Sequence, residues 1–113
     1  MDINRFMSEL LQCLSHLDFV DKVDLSLEII TIKGRASLKR NSYFLEIYYN
    51  EQTGTTAFAM IKNDKRIWGI DFDNIRGWHE HTLENPLDHK TIQEKNLSEI
   101  IAEFQKAYKM LDD

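Results

Sequence analysis

The sequence predicts an α+β fold from two observations. Near both ends of the chain, apolar residues recur at spacings of three and four, which is typical of amphipathic helices. Between these ends, apolar and polar residues alternate in short runs bounded by turn residues, which indicates consecutive antiparallel strands. We therefore expect a single domain over residues 1–113. Its order is an N-terminal helix, a four-stranded antiparallel meander, a long loop and a C-terminal helix, with the helices packed on one sheet face.

The first helix is expected from about Asp2 to Leu17, with Asp2 as its N-cap. One wide apolar stripe defines it: Ile3, Phe6, Met7, Leu10, Leu11, Leu14 and Leu17. The second helix is expected to begin at Asn96, because Asn96 and Glu99 have the spacing of a capping box. Its stripe comprises Leu97, Ile100, Ile101, Phe104, Tyr108 and Leu111.

Four strands are expected between the helices. The first runs from Leu25 to Lys39; its alternation slips by one residue at Ile29 and Ile30, which predicts a β-bulge or a stretch buried on both sides. Gly34 is expected to mark a bend in it. The other three strands are rich in aromatic and β-branched residues and are separated by turn chemistry. They cover residues 43–49, 55–61 and 66–73.

The composition indicates a soluble globular protein. Hydrophobic residues make up 42% of the chain and charged residues 29%. The net charge of −5 argues against extensive nucleic-acid coating but is compatible with a local basic patch. Cys13 is the single cysteine, which excludes an internal disulfide and fits a reducing compartment. No signal peptide or membrane-length apolar run is visible, so we expect a cytoplasmic protein with no membrane partner.

The segment from Asn74 to Lys95 has no periodicity and is the predicted long loop. It holds three of the four histidines and the only proline. Loops longer than about 12–15 residues are uncommon in small domains and are often functional. Imidazoles titrate near neutrality and can act as acid and base on an RNA 2′-hydroxyl. The candidate catalytic residues are His79, Glu80, His81 and His89.

Basic and aromatic side chains near these histidines are candidates for binding substrate. In the loop, Arg76 and Lys90 could hold a phosphate, and Trp78 adjoins them. A second basic set would project from one face of the first strand: Lys33, Arg35 and Lys39. This second set is equally compatible with an edge strand that charge protects from aggregation.

A metal site is the alternative for the same histidines. In an extended chain, His79 and His81 point to one side and Glu80 to the other. Three imidazoles match the number of protein ligands at catalytic zinc, but the spacing is not a known zinc signature. We expect no cofactor, with a divalent metal at His79, His81 and His89 as the alternative. Asp71 and Asp73, two residues apart on the last strand, could instead bind Mg²⁺ or simply meet solvent.

Several motifs resemble the TumE-like family of small prokaryotic proteins, the toxin component of a toxin–antitoxin module. The matching residues are 32–35, 43–50, 53–54, 65–71, 77–86, 89 and 97–101. The most specific part is Trp78-His79-Glu80-His81 with the following Glu84-Asn85-Pro86. The resemblance implies an α+β fold, intracellular use and a DNA-binding antitoxin as partner. For such a toxin we expect ribonuclease activity, with RNA as the substrate.

Two other classes of function fit the same residues. One is a non-catalytic interaction module, in which the loop and a sheet face bind a partner protein through residues such as Trp78. The other is a metal-binding protein that uses the histidine cluster. Association into a homo-oligomer is compatible with any of the three. The motifs of nucleophilic serine hydrolases (G-x-S-x-G), phosphate-binding loops and dinucleotide-binding proteins are not found in the sequence.

Overall fold

The computed structural model describes residues 1–111, which contain one helix near each end and a single antiparallel sheet. The sheet has seven strands that lie in sequence order, each paired with the next. The elements are α1 (Ile3–Ser15), β1 (Val20–Leu27), β2 (Thr31–Leu38), β3 (Tyr43–Asn50), β4 (Thr56–Lys62), β5 (Lys65–Asp73), β6 (Gly77–His81), β7 (Lys90–Thr91) and α2 (Leu97–Lys109). The fold is α+β with terminal helices, but the prediction of a four-stranded sheet is wrong.

The stretch predicted as one strand from Leu25 to Lys39 belongs to two strands, β1 and β2. A tight turn joins them, in which the Glu28 N–H donates to the Thr31 carbonyl at 2.8 Å. Ile29, at the tip of this turn, is 94% exposed. The slip in alternation therefore marks a hairpin turn rather than a β-bulge. It was missed because the turn contains two isoleucines and none of the usual turn residues.

The predicted long loop from Asn74 to Lys95 contains the two further strands β6 and β7. A short turn reverses the chain after β5, where the Asp73 carboxylate accepts hydrogen bonds from the N–H groups of Ile75 and Arg76 at 2.9 and 2.7 Å. Sequence periodicity did not reveal β6 because polar side chains occupy both its faces. His79 and His81 are on one face, and Glu80 is on the other beside Trp78.

Both helices pack on one face of the sheet, where their buried side chains share one core with alternate strand residues. Phe6 of α1 stacks on Tyr49 with ring centroids 4.0 Å apart, and Phe104 of α2 lies 5.9 Å from Trp68. The N-terminal ends of the helices are as expected: Asp2 caps α1, and Asn96 and Glu99 form a capping box on α2, whereas α1 ends at Ser15 rather than at Leu17. In residues 1–111, no helix has the length and apolar character needed to cross a membrane.

The opposite sheet face is not covered by the helices, and we call it the open face. Directly paired residues on neighbouring strands project from the same face. One row of paired residues on the open face runs Arg35, Glu46, Ala59, Gly69 and His81. The adjacent row runs Lys33, Tyr48, Ala57, Asp71 and His79. The histidines are therefore at the β6 end of the open face.

Gly34 lies at a close approach of β1 and β2. A Cβ at this position would be 2.1 Å from the Asp24 carbonyl oxygen and 2.8 Å from the Leu25 Cα, and these backbone atoms are fixed by strand pairing. We expect Gly34→Ala to lower the free energy of unfolding by roughly 3 kcal/mol, at the upper end for overpacking. Urea denaturation measures this change, with Ser37→Ala on the same strand as the control. Equal, small effects of both substitutions would contradict the steric argument.

Candidate metal centre

The pairing of β6 with β5 places His79 and His81 together on the open face. His79 is opposite Asp71 and His81 is opposite Gly69. Both imidazoles are buried, with 3% and 6% of each residue exposed. Glu80 projects from the other face, where its carboxylate accepts a hydrogen bond from Trp68 Nε1 at 3.2 Å. The expected side-chain directions are thus confirmed, and Glu80 is not part of the histidine cluster.

His89 reaches the same place from the segment that links β6 to β7. One ring nitrogen each of His79, His81 and His89 lies within 4.8 Å of the others. The ring centroids are 5.4, 5.1 and 4.6 Å apart. A hydrogen bond from His81 Nδ1 to the Pro86 carbonyl, at 2.8 Å, holds the linking segment against β6. The three imidazoles, which we call the histidine cluster, could hold a metal ion.

Hydrogen bonds define which nitrogen of the buried histidines is protonated. His79 Nδ1 lies 3.1 Å from the Gly77 carbonyl, and His81 Nδ1 is bonded to the Pro86 carbonyl. Because a carbonyl only accepts, each Nδ1 carries hydrogen and each neutral ring presents an Nε2 lone pair. Burial is the largest cause of a lowered pKa for His81, with smaller lowering by Arg66 and His89, although the bond to Pro86 and the Asp71 charge oppose the shift. His81 is therefore neutral near pH 7.

Asp71 faces the Nε2 atoms of both buried histidines. Its Oδ2 lies 3.4 Å from His79 Nε2 and 3.5 Å from His81 Nε2. The same carboxylate accepts from Arg66, whose Nη2 is 2.6 and 2.7 Å from the two oxygens. Asp71 was considered from sequence only as a partner of Asp73. Asp73 instead closes the turn after β5, and the N–H groups of Arg76 and then Ile75 lower the pKa of its carboxyl.

Arg66 was missed from sequence because its direction depends on a β-bulge. Met60 pairs with Trp68 but Ile61 pairs with Arg66, which leaves Ile67 as an extra residue in β5. The bulge reverses the alternation, so Arg66 projects from the open face although Trp68 projects into the core. The guanidinium then crosses Gly69 to reach Asp71. A Cβ on Gly69 would lie 2.2 Å from Arg66 Nη2.

The other predicted site residues are divided between the two faces of the sheet. Arg76 reaches the cluster, because its Nη1 lies 2.6 Å from His89 Nε2, and both side chains are exposed. Lys90 pairs with Glu80 across β6 and β7, so it projects from the helix-covered side. Trp78 is on that side too and packs on Phe72, with ring centroids 5.3 Å apart. Neither is placed to bind a ligand held by His79 and His81.

The basic strip of Lys33, Arg35 and Lys39 is remote from the cluster. Three strands separate β2 from β6, which is about 19 Å at ~4.8 Å per strand. Lys33 pairs with Glu28 at 3.3 Å, and the Arg35 guanidinium lies 4.1 Å from the centre of the Phe44 ring. Lys39 follows the end of β2. β2 is an interior strand, so protection of a sheet edge does not explain these charges.

Comparison of the chain with family models, with curated proteins and with solved structures finds no match. The resemblance to the TumE-like family and the expected cytoplasmic location stay predictions. Cys13 is not a candidate nucleophile, because burial and the neighbouring Glu9 raise the pKa of its thiol. The group with the clearest chemical organisation is the histidine cluster with Asp71 and Arg66.

Gly69→Ala is expected to displace Arg66 from Asp71 while the sheet stays intact. The new methyl would occupy the position of the guanidinium, the flexible end of a long side chain, rather than meet backbone. We expect the free energy of unfolding to fall by about 1.5–3 kcal/mol, the value of hydrogen bonds to a charged group.

A double-mutant cycle with Arg66→Ala isolates this effect, measured by urea denaturation. In the Arg66→Ala background, Gly69→Ala should have little effect because the guanidinium is already gone. Additive effects of the two substitutions would show that Gly69 acts independently of Arg66.

Proposed function

We propose that this protein binds a divalent transition-metal ion, zinc foremost, through His79, His81 and His89. The convergence of three ring nitrogens within 4.8 Å carries the proposal. Imidazole is a favoured ligand of zinc, and three protein ligands are the number found at catalytic zinc sites. In His79 and His81, the ring nitrogen Nδ1 is hydrogen-bonded to a backbone carbonyl and leaves Nε2 for the metal. Such outer bonds are a regular feature of histidines that bind metal, because they orient the ring.

Asp71 gives independent support for a cation at this position. The Asp71 carboxylate lies 3.4 and 3.5 Å from the Nε2 atoms of His79 and His81. Two ligand atoms of a tetrahedral zinc ion are separated by about 3.3 Å, given bonds of ~2.0–2.1 Å. The observed distances therefore leave room for a cation on the two histidines, with the Asp71 carboxylate beside it as a charge partner rather than a fourth ligand. Arg66 opposes a nearby cation, but its charge is largely offset by the ion pair with Asp71.

A zinc ion with an open coordination position supplies an activated water for hydrolysis near neutral pH. The residues of this chain would hold and orient the ion: His79 and His81 from a rigid strand, and His89 from the adjoining segment. Burial of the first two rings excludes bulk water from one side of the site. Under this proposal, the ribonuclease activity expected of such a toxin would require the metal.

Zinc binding is tested by titration calorimetry and by metal analysis of protein prepared without a histidine tag. We expect one zinc ion per chain and a rise in thermal stability, since a ligand at 100-fold its Kd adds about 2.7 kcal/mol to the free energy of unfolding. His79→Ala and His89→Ala should each weaken binding at least about tenfold.

His16→Ala is the matched control. His16 is exposed at the end of α1, and its Nδ1 is bonded to the Gln12 carbonyl at 2.8 Å, far along the chain from the cluster. Its removal should leave zinc affinity unchanged. Failure to bind zinc, or equal loss in the His16 variant, would refute the proposal.

Metal-free acid–base cleavage of RNA is the second candidate function. It is favoured by one observation: the exposed His89 ring is bonded to Arg76, a cation that can hold a phosphate beside an imidazole. Burial of His79 and His81 makes them poor partners for such a reaction, because their Nε2 atoms face Asp71. The toxin role and the antitoxin partner stay predictions of the resemblance.

Cleavage of RNA with and without a chelator separates the two candidates. If the metal is required, the chelator abolishes cleavage and added zinc restores it. If the second candidate holds, cleavage survives the chelator but is lost in His89→Ala and Arg76→Ala, while Lys39→Ala serves as a remote basic control. Absence of cleavage in all conditions would remove the ribonuclease proposals and leave zinc binding unaffected.

A further inference from the structure

A cavity of about 640 Å³ opens on the sheet beside the histidine cluster. Its size falls within the ~300–1,000 Å³ of small-molecule sites. Two members of the cluster, His81 and His89, form part of its wall. A metal held by the histidine cluster would therefore adjoin a space large enough for an organic substrate.

The rest of the cavity wall combines cations with apolar side chains. Lys65 contributes a positive charge, Arg66 is paired with Asp71, and Ile67, Pro86 and Leu87 contribute the apolar surface. Leu87 is 90% exposed and lies outside the core. A single exposed leucine is unremarkable, but here it adjoins a proline, an isoleucine and two histidines around one cavity. The wall suits a ligand with an anionic end and an apolar body.

The charge balance of the loaded site favours a dianion. Imidazole is an uncharged ligand and leaves both charges of a bound divalent metal uncompensated, and the Arg66–Asp71 ion pair is close to neutral as a unit. Lys65 adds a further positive charge at the rim. A phosphate monoester carries close to two negative charges at pH 7. A carboxylate carries only one and matches this site less well.

We infer that the cavity binds phosphate monoesters with an apolar organic group. The phosphoryl group lies towards the metal and Lys65, and the organic group packs against Ile67, Pro86 and Leu87. This inference rests on the proposed metal binding and names the class of ligand for the same site.

The test uses zinc-loaded protein and calorimetric titration with phenyl phosphate, inorganic phosphate and benzoate. Phenyl phosphate should bind at least about tenfold more tightly than inorganic phosphate. The reason is that inorganic phosphate lacks the phenyl ring, and burial of this apolar ring raises the affinity by at least that factor. It should also bind more tightly than benzoate, which keeps the ring but has one charge. Metal-free protein should not bind phenyl phosphate measurably.

Two variants assign the two ends of the ligand. Lys65→Ala should weaken phenyl phosphate and inorganic phosphate alike, by about tenfold, through loss of a charged contact. Leu87→Ala should weaken phenyl phosphate alone. Lys39→Ala and Leu27→Ala are the matched controls. Lys39 is an exposed lysine just after β2, and Leu27 is a half-exposed leucine at the end of β1. All four side chains are exposed, so these substitutions leave the core intact.

The outcomes separate this inference from the proposed function. If zinc binds but phenyl phosphate does not, or binds equally without zinc, the inference fails and the metal site stands. If inorganic phosphate binds as tightly as phenyl phosphate and Leu87→Ala has no effect, the site serves free phosphate and the inference fails. If zinc itself does not bind, both proposals fail.

Discussion

The register between β5 and β6 places Asp71 opposite His79 and Gly69 opposite His81, and every feature of the cluster depends on it. A shift of one residue would exchange the faces of β6 and bring Trp78 and Glu80 to the open face. Contacts on the helix-covered face of the sheet fix this register. There Trp78 packs on Phe72, and Trp68 donates to Glu80. Core packing thus fixes the position of polar groups on the opposite surface.

Two local irregularities complete the cluster. The bulge at Ile67 turns Arg66 to the open face, and Gly69 leaves room for its guanidinium to cross the strand. The result is a carboxylate that faces two imidazoles while an arginine holds it in place. Side chains on rigid strands are held more precisely than side chains on loops, which favours a preorganised ligand set. Only His89 comes from outside the paired strands of β5 and β6.

Burial decides between the two kinds of chemistry open to these histidines. General acid–base catalysis needs rings that meet the substrate and exchange protons with it. His79 and His81 instead are buried with their Nε2 atoms facing the Asp71 carboxylate, and burial lowers the pKa of His81. Neutral, oriented imidazoles are what a metal ion requires of its ligands. The same burial that weakens the acid–base interpretation strengthens the metal-binding one.

The sequence alone determined both helices and their caps, because an apolar stripe and the Asn96–Glu99 spacing are local signals. It also determined that His79 and His81 share a side, since alternation along an extended chain needs no tertiary information. The number of strands could not be predicted from such local signals. The turn at Ile29 and Ile30 has apolar residues, and β6 has polar residues on both faces, so neither gives the usual hydrophobic pattern.

The tertiary structure alone decided that Arg66 and Asp71 join the histidines. Arg66 is thirteen positions from His79 in sequence, and a bulge sets its direction, while Asp71 joins through cross-strand register. Lys33 and Arg35 look equally suitable in sequence, yet three intervening strands keep them apart from the site. The spacing of residues in the sequence predicts which side chains share a face of one strand. A site that spans several strands depends on their register and on bulges, and these are set only when the whole sheet pairs and packs.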